Sequence, residues 1–168
     1  LIKNVEDHRN ADADTSRAMV RVIIYVEDNP YYRSFFLPLI YNEVVRQTQA
    51  VLDESLNDRH RLLRMRARPK ILMATNYEEA FELYNKYRAY VFGIISDARF
   101  PRKGMLDENA GLAFLEKVRK EVPDLPLLLL SSELENRQKA DHIPAMFLYK
   151  DSDTIQQELH QFFLSEDL

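Results

Sequence analysis

The chain has 168 residues, enough for one domain with a sizeable core, and its 46% hydrophobic and 30% charged content is ordinary for a globular protein. A net charge of −4 argues against a general nucleic-acid-binding surface, and the absence of cysteine excludes disulfides and thiolate metal sites. No apolar stretch approaches the ~20 residues that cross a bilayer, so we expect a cytoplasmic protein with no membrane segment.

Residues 1–19 are polar and rich in Asp, Asn and Arg. We predict that they form an arm or linker outside the core, and that residues 20–168 form the domain. Because the chain begins at Leu1 rather than at a methionine, we also expect it to be an excised or processed segment.

Five short apolar runs alternate with helix-length segments, which predicts strands buried in a parallel sheet. The predicted strands span residues 20–26, 70–74, 91–96, 127–130 and 146–149. We predict a long first helix that begins after Asn29, with Pro30 at its first position and Pro38 as a kink. A capping box at 75–78 opens the next helix, a long loop spans 99–109, and further helices cover 112–122, 133–142 and 153–163.

This alternation predicts an α/β fold, a flavodoxin-like (βα)5 three-layer sandwich with an extended first helix. We take its strand order, 2-1-3-4-5, from known folds of this kind and not from the residues themselves. In that order the chain reverses direction between the first and third strands. Asp28 and Asp97 would therefore flank the crevice in which such folds bind ligands.

Four of the five predicted strands end in polar or ionisable residues: Glu27 and Asp28 after the first, Asp97 after the third, Ser131 after the fourth and Lys150 after the fifth. Because the carboxyl ends of parallel strands share one edge, these side chains should converge. Like charges 4 Å apart at an effective dielectric of 20 repel by about 4 kcal/mol per pair, so the three acids need raised pKa values or a cation. All-oxygen ligation favours Mg²⁺, and a carboxylate beside Mg²⁺ can attack phosphorus.

Each of these residues also has a simpler explanation. Glu27 and Asp28 can begin a helix, Asp97 can be a loop acid, Ser131 can cap the next helix and Lys150 can be solvated. Their shared position at one end of consecutive strands favours a joint site. In that site Lys150 would bind phosphoryl oxygens, and Ser131 would donate a hydrogen bond to them.

Over residues 20–165 the chain resembles the receiver domain of bacterial response regulators. The matching segments are 26–30 (Val-Glu-Asp-Asn-Pro), 96–97 with Pro101, 111–115 (Gly-Leu-Ala-Phe-Leu), 130–132 (Leu-Ser-Ser) and 147–150 (Phe-Leu-Tyr-Lys). More narrowly, the long first helix with its basic end is similar to receiver-type domains of phosphoenolpyruvate-synthase-like or pyruvate-phosphate-dikinase-like bacterial proteins.

The resemblance implies that Asp97 is the phosphoacceptor, with Lys150 and Ser131 acting on the phosphoryl group. Ser131 also matches the switch hydroxyl of the family, and Phe147 matches its switch aromatic. Such a domain receives its phosphoryl group from a histidine kinase or phosphotransfer protein and signals to attached output domains or within a homodimer. Apart from its own phosphorylation and slow dephosphorylation, it is not an enzyme.

The resemblance also implies a Mg²⁺ ion bound directly by Asp28 and Asp97. The backbone carbonyl of Arg99 would be a further ligand, and Glu27 would act mainly through water. This ligand set agrees with the all-oxygen site that the strand ends predict from their residue types.

Three features depart from the family pattern. Asp151 follows Lys150 where receivers usually have proline; a non-proline cis bond would cost ~2.5–4 kcal/mol, so the backbone there is expected to differ. The loop between Asp97 and Gly111 is longer than usual and is a candidate lid or contact surface. The segment before the second strand is longer as well. None of these features removes a ligand, so we expect phosphorylation to be retained.

Two other functions stay open. A receiver-like scaffold would mediate dimerisation or docking without phosphoryl turnover, and the departures at Asp151 and in the long loop favour it. A phosphatase with an aspartyl nucleophile would carry a second acid two residues after Asp97. Because Arg99 stands there, we rank this enzyme last.

The stretch Arg59–Lys70 holds six Arg or Lys residues in twelve. Such a stretch is typical of a docking patch for an acidic protein or nucleic acid. It is also typical of a helix C-terminus, where cations interact favourably with the negative end of the helix dipole. We favour the helix end or a contact within the protein, and the segment has no room for a helix-turn-helix or other output module. We therefore do not expect this domain to bind nucleic acid.

Overall fold

The structure, a computed structural model, describes residues 1–53, 68–166 and 168. Its elements in chain order are α1 (Ile2–Ala18), β1 (Val22–Val26), α2 (Pro30–Asp53), β2 (Lys70–Ala74), α3 (Tyr77–Lys86), β3 (Val91–Asp97), β4 (Phe100–Arg102), β5 (Met105–Asp107), α4 (Ala110–Glu121), β6 (Leu127–Ser131), α5 (Asn136–His142), β7 (Met146–Tyr149) and α6 (Ile155–Ser165). Most of the basic stretch lies outside the described residues. Within them, no helix is both long and apolar enough to cross a membrane.

Five parallel strands form the central sheet in the order β2-β1-β3-β6-β7. Numbered as the five predicted strands, this is the order 2-1-3-4-5, so the predicted α/β fold and its topology are confirmed. The register places Val26 beside both Ala74 and Ser96, and Asp97 beside Leu130. The strands therefore end at nearly the same level, which gathers the residues that follow them.

Helices cover both faces of the sheet, and this is why β1 is buried along its whole length. Ile23 and Tyr25 pack into one core cluster with α2 and α6, whereas Val22, Ile24 and Val26 pack into a second cluster with α3, α4 and α5. The alternation follows the two-residue period of a strand. An apolar residue at every position is what a strand covered on both faces requires.

The polar segment at the start of the chain forms α1, which packs along β2. Asp7, Ala11 and Thr15 on one side of this helix are buried. The prediction that residues 1–19 lie outside the core is therefore wrong. Polar composition misled the prediction, because the buried side of α1 is itself partly polar and finds its partners on distant elements.

Side chains of α1 bond to the free backbone edge of β2. Asn4 Nδ2 donates to the Ile71 carbonyl at 2.8 Å, and the Ile71 amide donates to Asp7 Oδ2 at 2.9 Å. The Met73 amide donates to His8 Nε2 at 2.9 Å. Because β2 is an edge strand of the sheet, these side chains satisfy groups that a neighbouring strand would otherwise pair.

The predicted long loop after β3 is a two-stranded antiparallel hairpin of β4 and β5. Its turn places Lys103 and Gly104 at φ angles of 54° and 76°. Both values lie in the left-handed region, which glycine adopts without steric cost. The hairpin leaves the side chains of Met105 and Leu106 exposed.

The predicted start of α2 agrees with the structure, whereas the cap of α3 is Asn76 with Glu79, one residue later than the predicted box at 75–78. The Tyr31 amide donates to Asn29 Oδ1 at 2.9 Å ahead of α2. The Glu79 amide donates to Asn76 Oδ1 at 2.8 Å at the start of α3, and the amide of Thr75 donates to Glu79 Oε2 at 3.0 Å. These bonds satisfy amides that have no partner inside the helix.

Candidate metal and phosphoryl site

Four neighbouring strands deliver polar side chains to one end of the sheet. Glu27 and Asp28 follow β1, Asp97 ends β3, Ser131 ends β6 and Lys150 follows β7. Parallel pairing aligns these ends, because each strand begins and ends near the level of its neighbours. The predicted convergence of these residues is what the structure shows.

Asp28, Asp97, Ser131 and Lys150 line an open cavity of about 290 Å³. Glu27 lies beneath it and is 0% exposed. One carboxylate oxygen from each of Glu27, Asp28 and Asp97 lies within 4.8 Å of the other two. At that separation three charged carboxylates repel strongly, so the cluster favours a bound proton or cation.

Lys150 is the ammonium group that contacts this cluster. Its Nζ lies 2.6 Å from Glu27 Oε1 and 3.0 Å from Asp97 Oδ1, and the lysine is itself buried. The ring centroid of Tyr32 lies 3.9 Å from the same Nζ, which adds a cation–π contact. With Asp151 in place of the family proline, Lys150 still reaches the acids.

The pKa values of two carboxyl groups in the cluster are raised, as expected where negative charge is not fully neutralised. Burial, and then the neighbouring Asp97 carboxylate, raise the pKa of Glu27 to about 8. The same two causes in the same order raise the pKa of Asp28. Among the described residues, Glu27 Oε2 is buried without a hydrogen-bond partner.

These residues fit a hard divalent cation. Mg²⁺ takes carboxylate and carbonyl oxygens and keeps several waters, and the cavity above the acids is open enough for those waters. An ion there would supply the positive charge that Lys150 alone does not, and would offset the Asp97 carboxylate, which together with burial raises the pKa of Glu27.

The two oxygens of Asp97 differ in their surroundings. The Ala98 amide donates to Oδ1 at 2.8 Å, and Lys150 contacts the same oxygen. Within the described part of the chain, no amide, ammonium or hydroxyl donor reaches Oδ2. Asp97 therefore has one oxygen held by the protein and one available to a ligand.

Gly111 fixes the backbone behind Asp97. Its amide donates to the Ala98 carbonyl at 3.0 Å, so the start of α4 lies against the end of β3. A Cβ added at Gly111 would lie 1.8 Å from the Asp97 carbonyl oxygen, a distance that no side chain can occupy. This close approach is the physical reason for a glycine here.

Ser131 is buried and bonded to the start of α5. Its Oγ accepts from the Glu133 amide at 3.0 Å and from Asn136 Nδ2 at 2.9 Å. Asn136 is also buried and lines the same cavity. Sequence reasoning missed Asn136, since a polar residue in a polar segment gives no sign that tertiary packing will bury it.

Two predicted residues lie at the margin of the cluster. Arg99 lines the cavity with an exposed side chain, and its carbonyl as a Mg²⁺ ligand stays a prediction. Phe147 lies on β7 outside the cavity wall, half-buried, with the Arg137 guanidinium 4.9 Å from its ring centroid. Its role as a switch aromatic stays a prediction as well.

The hairpin adds residues to the cavity wall that sequence reasoning did not name. Leu106 in β5 and Glu108 just after the hairpin both line the cavity. The Lys103 amide donates to Glu78 Oε1 of α3 at 2.7 Å, which ties the hairpin turn to that helix. The candidate lid thus borders the cavity while its turn is attached to α3.

No protein-family model matches the sequence, and no curated protein matches it. Solved structures do. A response regulator receiver domain protein from Clostridium thermocellum is 15% identical with a TM-score of 0.61, covering 88% of this chain and 94% of that one. The chemotaxis protein CheY4 of Vibrio cholerae is 18% identical with a TM-score of 0.56, covering 87% of this chain and 98% of that one.

The Borrelia burgdorferi complex of CheX and CheY with BeF3 and Mg²⁺ contains a third similar chain. It is 12% identical with a TM-score of 0.59, covering 88% of this chain and 90% of that one. The narrower resemblance to phosphoenolpyruvate-synthase-like proteins finds no support in these structures. Identity this low establishes the fold alone, and that fold is the one of CheY-like receiver domains.

Proposed function

We propose that the chain is a phosphoacceptor receiver domain in which Mg²⁺-dependent phosphorylation of Asp97 switches a protein-interaction face. The observation that carries this proposal is the meeting of Glu27, Asp28 and Asp97 with Lys150 at the carboxyl ends of the strands. Such a set can hold a divalent cation and a phosphoryl group side by side.

In this proposal Asp28, Asp97 and the Arg99 carbonyl hold Mg²⁺, and Glu27 acts mainly through water. The ion, when bound, neutralises the carboxylates and the incoming phosphoryl oxygens. The proton that a raised pKa keeps on Glu27 leaves when the cation binds, because both occupy the same region of negative charge.

Asp97 Oδ2 is the oxygen best placed to attack phosphorus, since Oδ1 is already held by Ala98 and Lys150. A new bond joins Oδ2 to phosphorus as the bond from phosphorus to the donor breaks, and the donor group leaves with that electron pair. Lys150 faces the phosphoryl oxygens with its charge, and Ser131 donates a hydrogen bond to them.

The phosphodonor is a histidine kinase, a phosphotransfer protein or a small acyl phosphate. The output face is formed by α5, β7 and α6; Phe147 lies in β7, and Ser131 ends the neighbouring strand β6. Its partners are attached output domains or a second copy of the domain. We place the protein in the cytoplasm, where such donors act, and assign it no further enzymatic activity.

The decisive experiment is to incubate the chain with Mg²⁺ and acetyl phosphate and to measure its intact mass. We expect one added phosphoryl group, absent in Asp97→Ala and absent when EDTA removes the metal. Asp107→Ala is the matched control, because Asp107 lies in the hairpin outside the acid cluster and its loss should leave the adduct in place. No adduct, or an adduct that survives Asp97→Ala, would overturn the proposal.

A receiver-like scaffold without phosphoryl turnover is the second candidate. Asp151 after Lys150 favours it, as does the hairpin, which brings Leu106 and Glu108 to the cavity wall. A Mg²⁺ titration followed by NMR separates the two functions. A scaffold with a degenerate site would show no local chemical-shift changes at Asp28 and Asp97, whereas a competent receiver would show them.

A further inference from the structure

The hydroxyl of Ser131 has its acceptor positions filled by the start of α5. Glu133 N and Asn136 Nδ2 both donate to Oγ, at 3.0 and 2.9 Å. A hydroxyl has two acceptor lone pairs and one proton, so these two bonds leave only the proton free. Within the described part of the chain, no protein oxygen accepts that proton.

The remaining direction for the O–H bond of Ser131 is toward the cavity. Ser131 and Asp97 line the same cavity, and the two donors belong to Glu133, in the loop before α5, and to Asn136, the first residue of α5. Tetrahedral geometry then directs the O–H bond away from α5. An anion attached to Asp97 would meet a hydroxyl already turned to donate.

The side chain of Asn136 is buried where it donates to Ser131, and the backbone of Asn136 is bonded as well. It is 3% exposed, and its own amide donates to the Glu133 carbonyl at 3.2 Å. A buried amide group has few alternative partners, and a bond to a second buried group is costly to break. The Asn136–Ser131 contact is thus a fixed part of the cavity wall.

We propose that Asn136 is a positioning residue that keeps the Ser131 proton directed at an anionic group carried by Asp97. This inference rests on the proposed phosphoacceptor function and names a residue that function did not include. Asn136 does not touch the anion itself. Its effect passes through Ser131, so it should vanish when Ser131 is replaced.

The test measures binding of beryllofluoride, a phosphoryl mimic, in the presence of Mg²⁺. We expect Ser131→Ala to weaken binding about tenfold, the effect of losing one hydrogen bond to a charged group. Asn136→Ala should weaken binding severalfold, and the double variant should bind no more weakly than Ser131→Ala alone. Affinity for Mg²⁺ without beryllofluoride should stay within about twofold of wild type in Asn136→Ala, because Asn136 is not an ion ligand.

Two further variants accompany these, and a urea unfolding curve of each shows whether it is folded. Asn136→Asp has nearly the same shape, but its carboxylate accepts the Ser131 proton and adds a negative charge to the cavity wall, so binding should fall at least as far as in Ser131→Ala. Asn109→Ala, which removes an exposed asparagine at the start of α4, should bind beryllofluoride as wild type does.

The outcomes separate this inference from the function beneath it. If the wild type does not bind beryllofluoride, or if Asp97→Asn binds it equally well, the phosphoacceptor function fails and the inference with it. If binding depends on Asp97 but Asn136→Ala and Asn136→Asp both bind as wild type does, only the inference fails. Additive losses in the double variant would also overturn it, because they would show that Asn136 acts independently of Ser131.

Discussion

Asp7 and Glu27 are both 0% exposed acids, yet their surroundings are opposite. Asp7 accepts from Arg68 at 2.8 Å and 3.2 Å, from the Tyr41 hydroxyl at 2.7 Å and from the Ile71 amide at 2.9 Å. Glu27 has the Lys150 ammonium on one oxygen, two further acids nearby and no protein partner for the other oxygen among the described residues.

The difference in hydrogen-bond donors distinguishes a structural role for Asp7 from the proposed ligand-binding role of Glu27. A buried charge is tolerated when donors saturate it, and Asp7 meets that condition by tying α1 to β2 and α2. Glu27 does not meet it, so its carboxyl group favours a proton or an added cation. The number of donors around a buried acid, more than its burial, distinguishes the two roles.

Replacing Asp7 should have the largest effect on the free energy of unfolding. Asp7→Ala leaves Arg68 and the Ile71 amide without their partner, and breaking a buried ion pair on one side typically costs about 3–5 kcal/mol. Urea unfolding followed by circular dichroism measures the loss. Glu27→Gln, without metal, is the matched control and should cost less, because Lys150 keeps Asp97 as its partner at 3.0 Å and the change also removes repulsion from Asp28 and Asp97. Equal losses of unfolding free energy in the two variants would contradict the distinction between Asp7 and Glu27.

Metal should stabilise the folded chain through the acid cluster. At one hundred times its Kd, Mg²⁺ bound only by the native state would raise the free energy of unfolding by about 2.7 kcal/mol. Adding EDTA should reverse the gain, and Asp28→Asn should abolish most of it. The measurement is urea unfolding with and without Mg²⁺. A gain that persists in Asp28→Asn would place the ion elsewhere.

Glu27 should make the metal-free chain less stable as the pH rises. The folded state holds the pKa of Glu27 at about 8, against 4.5 for an ordinary glutamate, so the native state binds the extra proton between these values. The resulting stability is complete below about pH 4.5 and is lost as the pH passes through 8, by at most about 1.4 kcal/mol per pH unit. Burial and Asp97 raise the pKa of Asp28 as well, which adds to the loss in the same direction.

Unfolding curves at several pH values, with and without Mg²⁺, test this slope. Glu27→Gln should flatten it, since no proton is then exchanged at this position. Saturating Mg²⁺ should also reduce it, because the cation takes the place of the proton. A slope between pH 5 and pH 8 that is the same in Glu27→Gln as in the metal-free wild type would contradict the electrostatic account of the cluster.

Sequence reasoning predicted the sheet and the acid cluster because both follow from local patterns. Apolar runs indicate strands, and a polar residue at the end of such a run lies at the shared edge of a parallel sheet. That is why Glu27, Asp28, Asp97 and Lys150 could be placed together before any coordinates were known.

The missed features depend on contacts between distant residues. Asp7 bonds to Arg68 and to Ile71, sixty-one and sixty-four positions along the chain, and no local pattern announces such pairs. Asn136 is buried only because α5 turns its first residue back toward Ser131. In both places a polar residue is buried by partners that the surrounding sequence does not reveal.

The bonds from α1 to β2 also bear on how the protein behaves when it is shortened. Asn4, Asp7 and His8 occupy the backbone groups of Ile71 and Met73 that another polypeptide would otherwise pair with. A fragment trimmed to start at residue 20 would leave those groups bare on an outer strand, where copies can stack strand to strand and aggregate. We therefore expect α1 to prevent the edge of β2 from pairing with a second copy of the chain.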